Sequence, residues 1–204
     1  MITINPRVSR RAARLTTNIL APANLVIAGL PLVGLAASPP LAGFLWGCLA
    51  ALFAGVIPLT VILIGVRRGK LSDVHIVDRE QRHTPLLASI LSVALGLALL
   101  YVLPAAGEVR ALTVAMLAGL ITTAAVTRIW KVSIHTAVAT GFAVVFGTTF
   151  GVVGWLAVLP AAAIGWSRAR LGDHTVSQVL GGALLGAIVT ASVYTTLAGM
   201  SSIH

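Results

Sequence analysis

The chain has 204 residues, of which 58% are hydrophobic and 9% charged, and its formal net charge is +9 at pH 7. Soluble domains contain about 45–50% apolar and about 25% charged residues. The composition therefore excludes an ordinary soluble domain, a disordered chain and a typical nucleic-acid-binding module. It indicates an integral membrane protein, in which excess Lys and Arg reflects their preference for cytoplasmic loops.

Seven apolar segments follow one another along the chain, over residues 18–37, 41–66, 85–103, 111–129, 136–153, 154–166 and 179–200. Uninterrupted apolar runs predict membrane-spanning helices, because only helices and closed barrels satisfy the backbone in lipid and barrel strands alternate in polarity. The sixth segment is short for a span, since a span needs about 20 residues. Gly182 and Gly186, one helical turn apart, predict close helix packing.

The predicted fold is therefore an all-α, polytopic transmembrane bundle of six or seven helices. A basic cytoplasmic N-terminus covers residues 1–17, and a single transmembrane domain covers residues 18–204. With seven spans, thirteen of the fourteen Lys and Arg residues fall on one face, and only Arg110 falls on the other. The positive-inside rule places the richer face in the cytoplasm of a multi-pass cell-membrane protein.

Three polar clusters interrupt the apolar pattern, over residues 70–85, 128–135 and 167–178, and all lie on the basic face. Ionisable groups at span ends are costly, so they are functional candidates. Converging Arg and Lys side chains can clamp a phosphate, and histidines beside them can act as nucleophile and general acid. Basic residues outnumber acids here, whereas hard metal ions need several carboxylates, so we expect neither metal nor cofactor.

The third cluster holds the strongest candidate nucleophile. His174 and Gln178 are four residues apart, which places them on one face of a helix beginning near His174. We expect Gln178 to accept a hydrogen bond from one imidazole nitrogen. That bond would fix the tautomer and leave the other nitrogen free to attack.

At these residues the sequence resembles the type 2 phosphatidic acid phosphatase superfamily, which includes the vanadium haloperoxidases. The family signature S-R-x5-H-x3-D is matched by Ser167, Arg168 and His174, with Gln178 in place of the Asp. The run H-T-x-S-Q is similar to the dolichyl-diphosphatase branch, in which a Gln also occurs at this place.

The two other clusters resemble the remaining family motifs less fully. Residues 132–135 resemble P-S-G-H, with Ser133 and His135 matched and Ile134 in place of the Gly. Residues 75–83 resemble K-x6-R-P only loosely, with Arg82 at the arginine and His75 where the lysine would stand. The order of the motifs along the chain agrees with the family.

The resemblance implies a membrane lipid-phosphate phosphohydrolase that works without metal through a phosphohistidine. His174 would attack phosphorus, His135 would protonate the leaving oxygen and Gln178 would orient the nucleophile. The residues expected to bind the substrate phosphate are Arg168, Ser133, Arg82, Lys131 and Ser167. The residues expected to shape the site are His75, Asp78 and Arg79.

The implied substrate is a polyprenyl phosphate, a polyprenyl diphosphate or a prenyl-linked sugar phosphate, and the expected partners are this lipid and the membrane, with no nucleic acid. An alternative is a phosphatidic acid or phosphatidylglycerol phosphate phosphatase. A second is a prenyl-diphosphate transferase or cyclase, against which the absence of Asp-rich magnesium motifs counts. A third is a catalytically weak lipid-phosphate binding protein, which Gln178 in place of Asp leaves open.

Overall fold

The structure is a computed structural model that describes residues 6–37 and 39–201. Its helices are α1 (Pro6–Ile19), α2 (Pro22–Ala36), α3 (Pro40–Ala51), α4 (Ile57–Arg67), α5 (His83–Val102), α6 (Gly107–Ile129), α7 (Ile134–Gly154), α8 (Val158–Leu171) and α9 (Val176–Ser201). No strand occurs in these residues, so the all-α prediction is confirmed. Helix α1 crosses the expected boundary at residue 18, so most of the basic N-terminal segment is helical.

Among the described residues, five helical segments are long and apolar enough to cross a bilayer, or six if the bent pair formed by α1 and α2 counts as one span. One of the five, Ile134–Leu171, contains both α7 and α8. It changes direction at Gly151, whose φ of 65° is open to glycine without steric cost. Gly165 of α8 lies against Thr136 of α7, so α8 runs back antiparallel to α7. The predicted fifth and sixth segments are therefore the two arms of a hairpin.

The predicted second segment is one long helix with a π turn at Leu52–Val56, between α3 and α4. Pro58 follows this turn, and a proline has no N–H to bond the carbonyl one turn earlier. The helix widens there, and the carbonyl oxygen of Phe53 accepts a hydrogen bond of 2.6 Å from Ser92 Oγ on α5. This bond joins the widened turn to the neighbouring helix.

Helices α7 and α9 pack backbone to backbone through the two glycines predicted to do so. A Cβ atom at Gly182 would collide with the carbonyl oxygen of Ser133, and one at Gly186 would collide with the carbonyl of Ala137. Only glycine permits this approach, so the small-residue prediction is confirmed. The contact sets the start of α7 beside the start of α9, where the second and third polar clusters lie.

The connections between α4 and α5, α6 and α7, and α8 and α9 lie at one end of the bundle, which we call the site end. Helix α1 is bound there too, since Arg170 Nε of α8 donates a hydrogen bond of 2.9 Å to Ser9 Oγ. The loop between α5 and α6, which precedes Glu108 and Arg110, lies at the opposite end. The unequal distribution of basic residues predicted from the sequence is thus kept in the folded chain.

Candidate functional site

The end of α8 wraps a short loop around one arginine. Gly172 adopts a φ of 79° and closes the helix, a conformation that favours glycine. The backbone N–H groups of Asp173 and His174 then both donate to the carbonyl oxygen of Arg168, over 3.2 and 3.4 Å. The helix cap therefore holds Arg168, Asp173 and His174 together.

Arg168 is fully buried but has few partners for its guanidinium group. Its Nη1 lies 2.9 Å from Asp173 Oδ2, an ion pair whose geometry does not meet that of a hydrogen bond. Within the described part of the chain, Nε, Nη1 and Nη2 all have no hydrogen-bond acceptor. Buried donors without a hydrogen-bond acceptor are uncommon in folded proteins, so the Arg168 guanidinium is a candidate anion-binding group.

Arg82 reaches the same place from the turn before α5. Its Nε donates to the carbonyl oxygen of Ile76 over 2.8 Å, and its Nη1 donates to that of Val132 over 3.1 Å. Its Nη2 lies 3.4 Å from Nε2 of His174. Since a guanidinium can only donate, Nε2 presents its lone pair to Arg82 and the proton of the neutral imidazole lies on Nδ1. Arg82, the loosest of the motif matches, thus contacts the candidate nucleophile directly.

The second cluster forms the N-terminus of α7. Ser133 is the N-cap, and its Oγ accepts from the N–H of Thr136 over 3.4 Å. The N–H of Ser133 donates to the carbonyl oxygen of Gln178 over 3.1 Å, which joins this cap to α9. The positive end of the α7 dipole therefore points into the cationic cluster and adds to its attraction for an anion.

Two further histidines meet at the start of α7. His135 is 4% exposed, and its Nε2 has no partner among the described residues. The ring of His75, from the loop before α5, lies 5.2 Å from the ring of His135 between centroids. Nε2 of His75 lies 3.0 Å from Oδ1 of Asn18 in the last turn of α1. The first and second polar clusters are thus in contact through their histidines.

Positive charge surrounds His174 on several sides. Lys131 Nζ donates over 2.9 Å to the carbonyl oxygen of Asp173, immediately before His174. Burial, followed by the charges of Arg168, Arg82 and Lys131, lowers the pKa of His174 to about 3. Burial and Arg168 likewise lower the pKa of His75, and burial and Arg82 lower that of Lys131. His174 is therefore neutral near pH 7, the form that a nucleophile requires.

The structure corrects the expected role of Gln178. Its Oε1 accepts from the N–H of Thr175 over 3.1 Å, and its own N–H donates to Thr175 Oγ1 over 3.3 Å. This is a capping box at the start of α9. Nδ1 of His174 has no partner within the described residues, so the expected bond from Gln178 to the imidazole is not formed. The helix begins at Val176, so His174 lies outside it and the four-residue spacing does not align the two side chains.

The structure also gives Ser167 a role other than phosphate binding. Its Oγ donates to the carbonyl oxygen of Ile164 over 3.0 Å and lies 2.8 Å from Oγ1 of Thr17. Because the Ser167 proton is used, Thr17 is the donor in this second bond. Ser167 is therefore committed to joining α8 to α1.

Of the residues expected to shape the site, His75 reaches it, whereas Asp78 and Arg79 build the turn that carries Arg82. Asp78 Oδ1 accepts from the N–H of Glu80 over 3.1 Å. The carbonyl oxygen of Arg79 accepts from the N–H of Arg82 over 3.2 Å.

Sequence reasoning missed three contributors: Asp73, Thr17 and Asn18. Asp73 Oδ1 accepts from the N–H of His75 over 2.6 Å and so fixes the loop. Thr17 and Asn18 are adjacent polar residues at the start of the first apolar segment, and this polarity was the signal that could have drawn attention to them. Both lie in the last turn of α1 and contact members of the polar clusters.

Comparison with models of protein families, with curated proteins and with solved structures finds no significant match to this chain. Within residues 6–37 and 39–201, no group of three His, Cys, Asp or Glu residues is placed to hold a metal ion. The arrangement brings Arg82, Lys131 and Arg168 around the neutral imidazole of His174, beside the start of α7. Such a set can bind a multiply charged anion and present a nitrogen lone pair to it.

Proposed function

We propose that the protein is a membrane lipid-phosphate phosphohydrolase that works without metal, through a phosphohistidine on His174. The observation that carries the proposal is the buried guanidinium of Arg168, whose donors lack hydrogen-bond acceptors among the described residues, beside a neutral, buried imidazole. A phosphoryl group supplies three acceptor oxygens, and its negative charge adds to that of the Asp173 carboxylate, which pairs with Arg168.

The proposed reaction has two steps. When the phosphate binds, Nη2 of Arg82 donates to a phosphoryl oxygen in place of Nε2 of His174, and the freed lone pair of Nε2 attacks phosphorus. The bond from phosphorus to the lipid oxygen breaks, and His135, which takes up a proton as the anion binds beside it, gives that proton to the leaving oxygen. Water then attacks the phosphohistidine and releases inorganic phosphate and the neutral imidazole, while the proton lost by the water returns to His135. Atoms and charges balance over the two steps without a further reactant. Arg82 and Arg168 stabilise the charge on the phosphoryl oxygens in both transition states, which is commonly the largest contribution to such catalysis.

Ser133 and Lys131 support the same site. The Oγ of Ser133 accepts the cap bond of α7 and retains its own proton to donate to a phosphoryl oxygen. Lys131 holds the loop of Asp173 and adds a positive charge within reach of the same anion. Gln178 acts indirectly, because it caps the helix that follows His174.

The substrate class that we propose is a polyprenyl phosphate, a polyprenyl diphosphate or a prenyl-linked sugar phosphate. Support comes from the membrane-spanning character of the helices and from the position of the site at one end of the bundle. Phosphatidic acid and phosphatidylglycerol phosphate are the comparison substrates.

The test is phosphate release by the detergent-purified protein in the presence of a chelator. Farnesyl diphosphate, farnesyl monophosphate and dioleoyl phosphatidic acid are compared, with His174→Ala as the inactive control. We expect turnover that survives chelation, vanishes in the variant and is fastest on a prenyl substrate. Turnover that the variant retains, or turnover that the chelator abolishes, would refute the phosphohistidine mechanism. Release of diphosphate with a rearranged hydrocarbon would identify a cyclase or transferase.

We further propose that the site faces the cytoplasm, because thirteen of the fourteen basic residues belong to segments at the site end. In a Cys48→Ala background, Ser72→Cys should be protected from a membrane-impermeant maleimide in intact cells, whereas Pro104→Cys at the other end should be labelled. The opposite labelling pattern would place the site outside.

A further inference from the structure

Helix α1 is joined to the bundle but does not continue the direction of α2. The two helices differ in direction by 46°, and Nδ2 of Asn24 donates to the carbonyl oxygens of Asn18 and Ile19 over 2.9 and 3.0 Å. Pro22, which begins α2, has no N–H with which to continue the hydrogen bonds of α1. The corner between the helices is therefore closed by bonds of its own, and α1 is a separate element.

Helix α1 crosses the last turns of α8 obliquely. Ser9 and Thr17 are eight residues apart, which is about 12 Å along α1. Their partners on α8, Arg170 and Ser167, are only three residues apart, or about 4.5 Å. Helices that run side by side would keep the two spacings equal. Helix α1 therefore extends across the site end, the level at which lipid headgroups surround a membrane-spanning bundle.

One face of α1 is apolar and largely exposed. Val8, Leu15 and Ile19, which we call the apolar strip, are 58%, 60% and 57% exposed. With 3.6 residues per turn they lie within about 40° of one another. They are on the side of the helix away from Ala13 and Thr17, which are buried against the bundle. Large apolar side chains aligned in this way at the end of a membrane-spanning bundle indicate contact with the acyl chains of lipid.

The neighbouring face of α1 is basic. Arg10, Arg11 and Arg14 are exposed and lie within about 100° of one another, between the apolar strip and the side that packs on the bundle. No Asp or Glu occurs in residues 1–72, so no acidic side chain of this helix offsets their charge. Guanidinium groups bind phosphate well, and a basic face beside an apolar strip is typical of helices that lie on anionic membranes.

We propose that α1 lies in the membrane interface and binds anionic phospholipids, with the apolar strip against the acyl chains and Arg10, Arg11 and Arg14 on the headgroup phosphates. Charge complementarity favours an anionic bilayer over a zwitterionic one, because each basic residue near an anionic surface adds about fivefold in affinity. The proposal goes beyond the proposed function and does not depend on it. Because α1 also bonds Ser167 and His75, its seat in the interface sets the depth of the candidate site relative to the lipid phosphates.

The first readout is the depth of α1 in proteoliposomes of phosphatidylcholine and phosphatidylglycerol. A nitrobenzoxadiazole probe is placed on Leu15→Cys in a Cys48→Ala background, and lipids carry a doxyl quencher either close to the headgroup or close to the end of the acyl chain. We expect stronger quenching from the label close to the headgroup, because an interfacial helix buries its apolar face only about 5–10 Å deep. The probe on Ser72→Cys, an exposed loop residue, is the control and should be quenched weakly by both. Stronger quenching from the deep label would make α1 part of a span, and quenching no stronger than at the control would leave the strip to a partner other than lipid, such as an acidic protein; either result would overturn the proposal.

The second readout is the preference of the Leu15 probe site for spin-labelled phosphatidylglycerol over spin-labelled phosphatidylcholine. We expect a preference of at least about fivefold at low salt, the contribution of one arginine, and a smaller one as salt screens the charges. Replacing the three arginines of α1 together by glutamine should abolish it. The control removes the same charge from exposed positions at the end of α4, by Arg67→Gln, Arg68→Gln and Lys70→Gln, and should keep the preference near the wild-type value.

Equal quenching by the two lipids in the wild-type protein would overturn the proposal, and so would an equal loss of preference in both triple variants. Neither readout uses phosphate release. A protein that shows the preference but releases no phosphate would therefore refute the proposed hydrolase and leave the role of α1 standing, whereas release without the preference would do the reverse.

Discussion

Replacement of Arg168 by methionine should show whether the candidate site lowers the stability of the fold while it supports phosphate release. Arg168 is fully buried, and its three guanidinium nitrogens have no hydrogen-bond acceptor within the described residues. An unsatisfied buried polar group costs about 1–3 kcal/mol, and methionine has a similar length with no such group. If the arginine is kept for anion binding, the protein gains stability when it is removed.

The ion pair with Asp173 opposes that gain. The Asp173 side chain is 23% exposed, so it remains partly solvated when Arg168 is removed, and Lys131 lies nearby. The pair itself stabilises the fold little, because the desolvation of the fully buried Arg168 offsets much of its attraction to Asp173. We therefore expect Arg168→Met to leave the free energy of unfolding unchanged or to raise it by up to about 2 kcal/mol.

Arg168→Met should lower catalysis strongly, although it leaves the free energy of unfolding unchanged or raises it. Loss of one group that stabilises transition-state charge typically lowers kcat by about 10²- to 10³-fold, and we expect at least that loss in phosphate release. Arg170→Met is the matched control, because Arg170 lies in the same last turn of α8 and bonds Ser9. It should retain most activity.

The assay is thermal unfolding in detergent, followed by tryptophan fluorescence, with and without inorganic phosphate. Phosphate at 100 times its dissociation constant should stabilise the wild-type protein by about 2.7 kcal/mol and should not stabilise Arg168→Met. The reasoning is refuted if Arg168→Met loses about 3 kcal/mol or more while phosphate leaves the wild type unaffected, since that is the behaviour of a structural buried ion pair.

Three further predictions concern the groups around Arg168. The pKa of His174 in the folded protein, about 3, lies below its ordinary value of 6.5, so the unfolded chain takes up the proton first. The stability that the neutral ring contributes is therefore fully present above pH 6.5 and is lost as the pH falls toward 3. In His174→Asn the unfolding midpoint should depend less on pH over this range. Gln178→Ala should cost about 1 kcal/mol of stability through the lost cap and lower kcat far less than His174→Ala; a loss of kcat close to that of His174→Ala would show that Gln178 orients the nucleophile. Thr17→Val removes the donor to Ser167 and should lower the free energy of unfolding by about 1 kcal/mol, which is seen as a lower unfolding midpoint. Thr16→Val is the neighbouring control, and equal midpoints in the two variants would contradict the assigned bond.

Hydropathy identified the helices because lipid requires long apolar runs, and these remain visible without tertiary information. The helix α1 was less visible, since four arginines made residues 1–17 look like a basic tail. Its buried side is narrow, with Ala13 and Thr17 among the few buried residues, while Val8 and Leu15 are exposed. Such a helix is recognised only when the surface on which it packs is known.

The site was predicted in part for a similar reason. Spacing found His174 and Arg168 because one helix end and one tight loop hold them, which is local geometry. It failed at Gln178, because the spacing was read for a helix that begins at His174, whereas Thr175 is the N-cap and α9 begins at Val176. The supports of Arg82 are two backbone carbonyls, of Ile76 and Val132, and a backbone carbonyl has no signature in the sequence.

The charges around His174 have a consequence for the proposed mechanism. When Nε2 attacks phosphorus, Nδ1 keeps its proton and the ring becomes cationic. No carboxylate contacts Nδ1 within the described residues, and Arg82, Arg168 and Lys131 all oppose a positive charge there. The negative charge that compensates the ring must therefore come from the bound phosphoryl group itself. A dianionic monoester or a diphosphate supplies more of that charge than a monoanionic diester. Under the proposed mechanism we therefore expect hydrolysis of terminal phosphates and discrimination against ordinary phospholipids in the surrounding membrane.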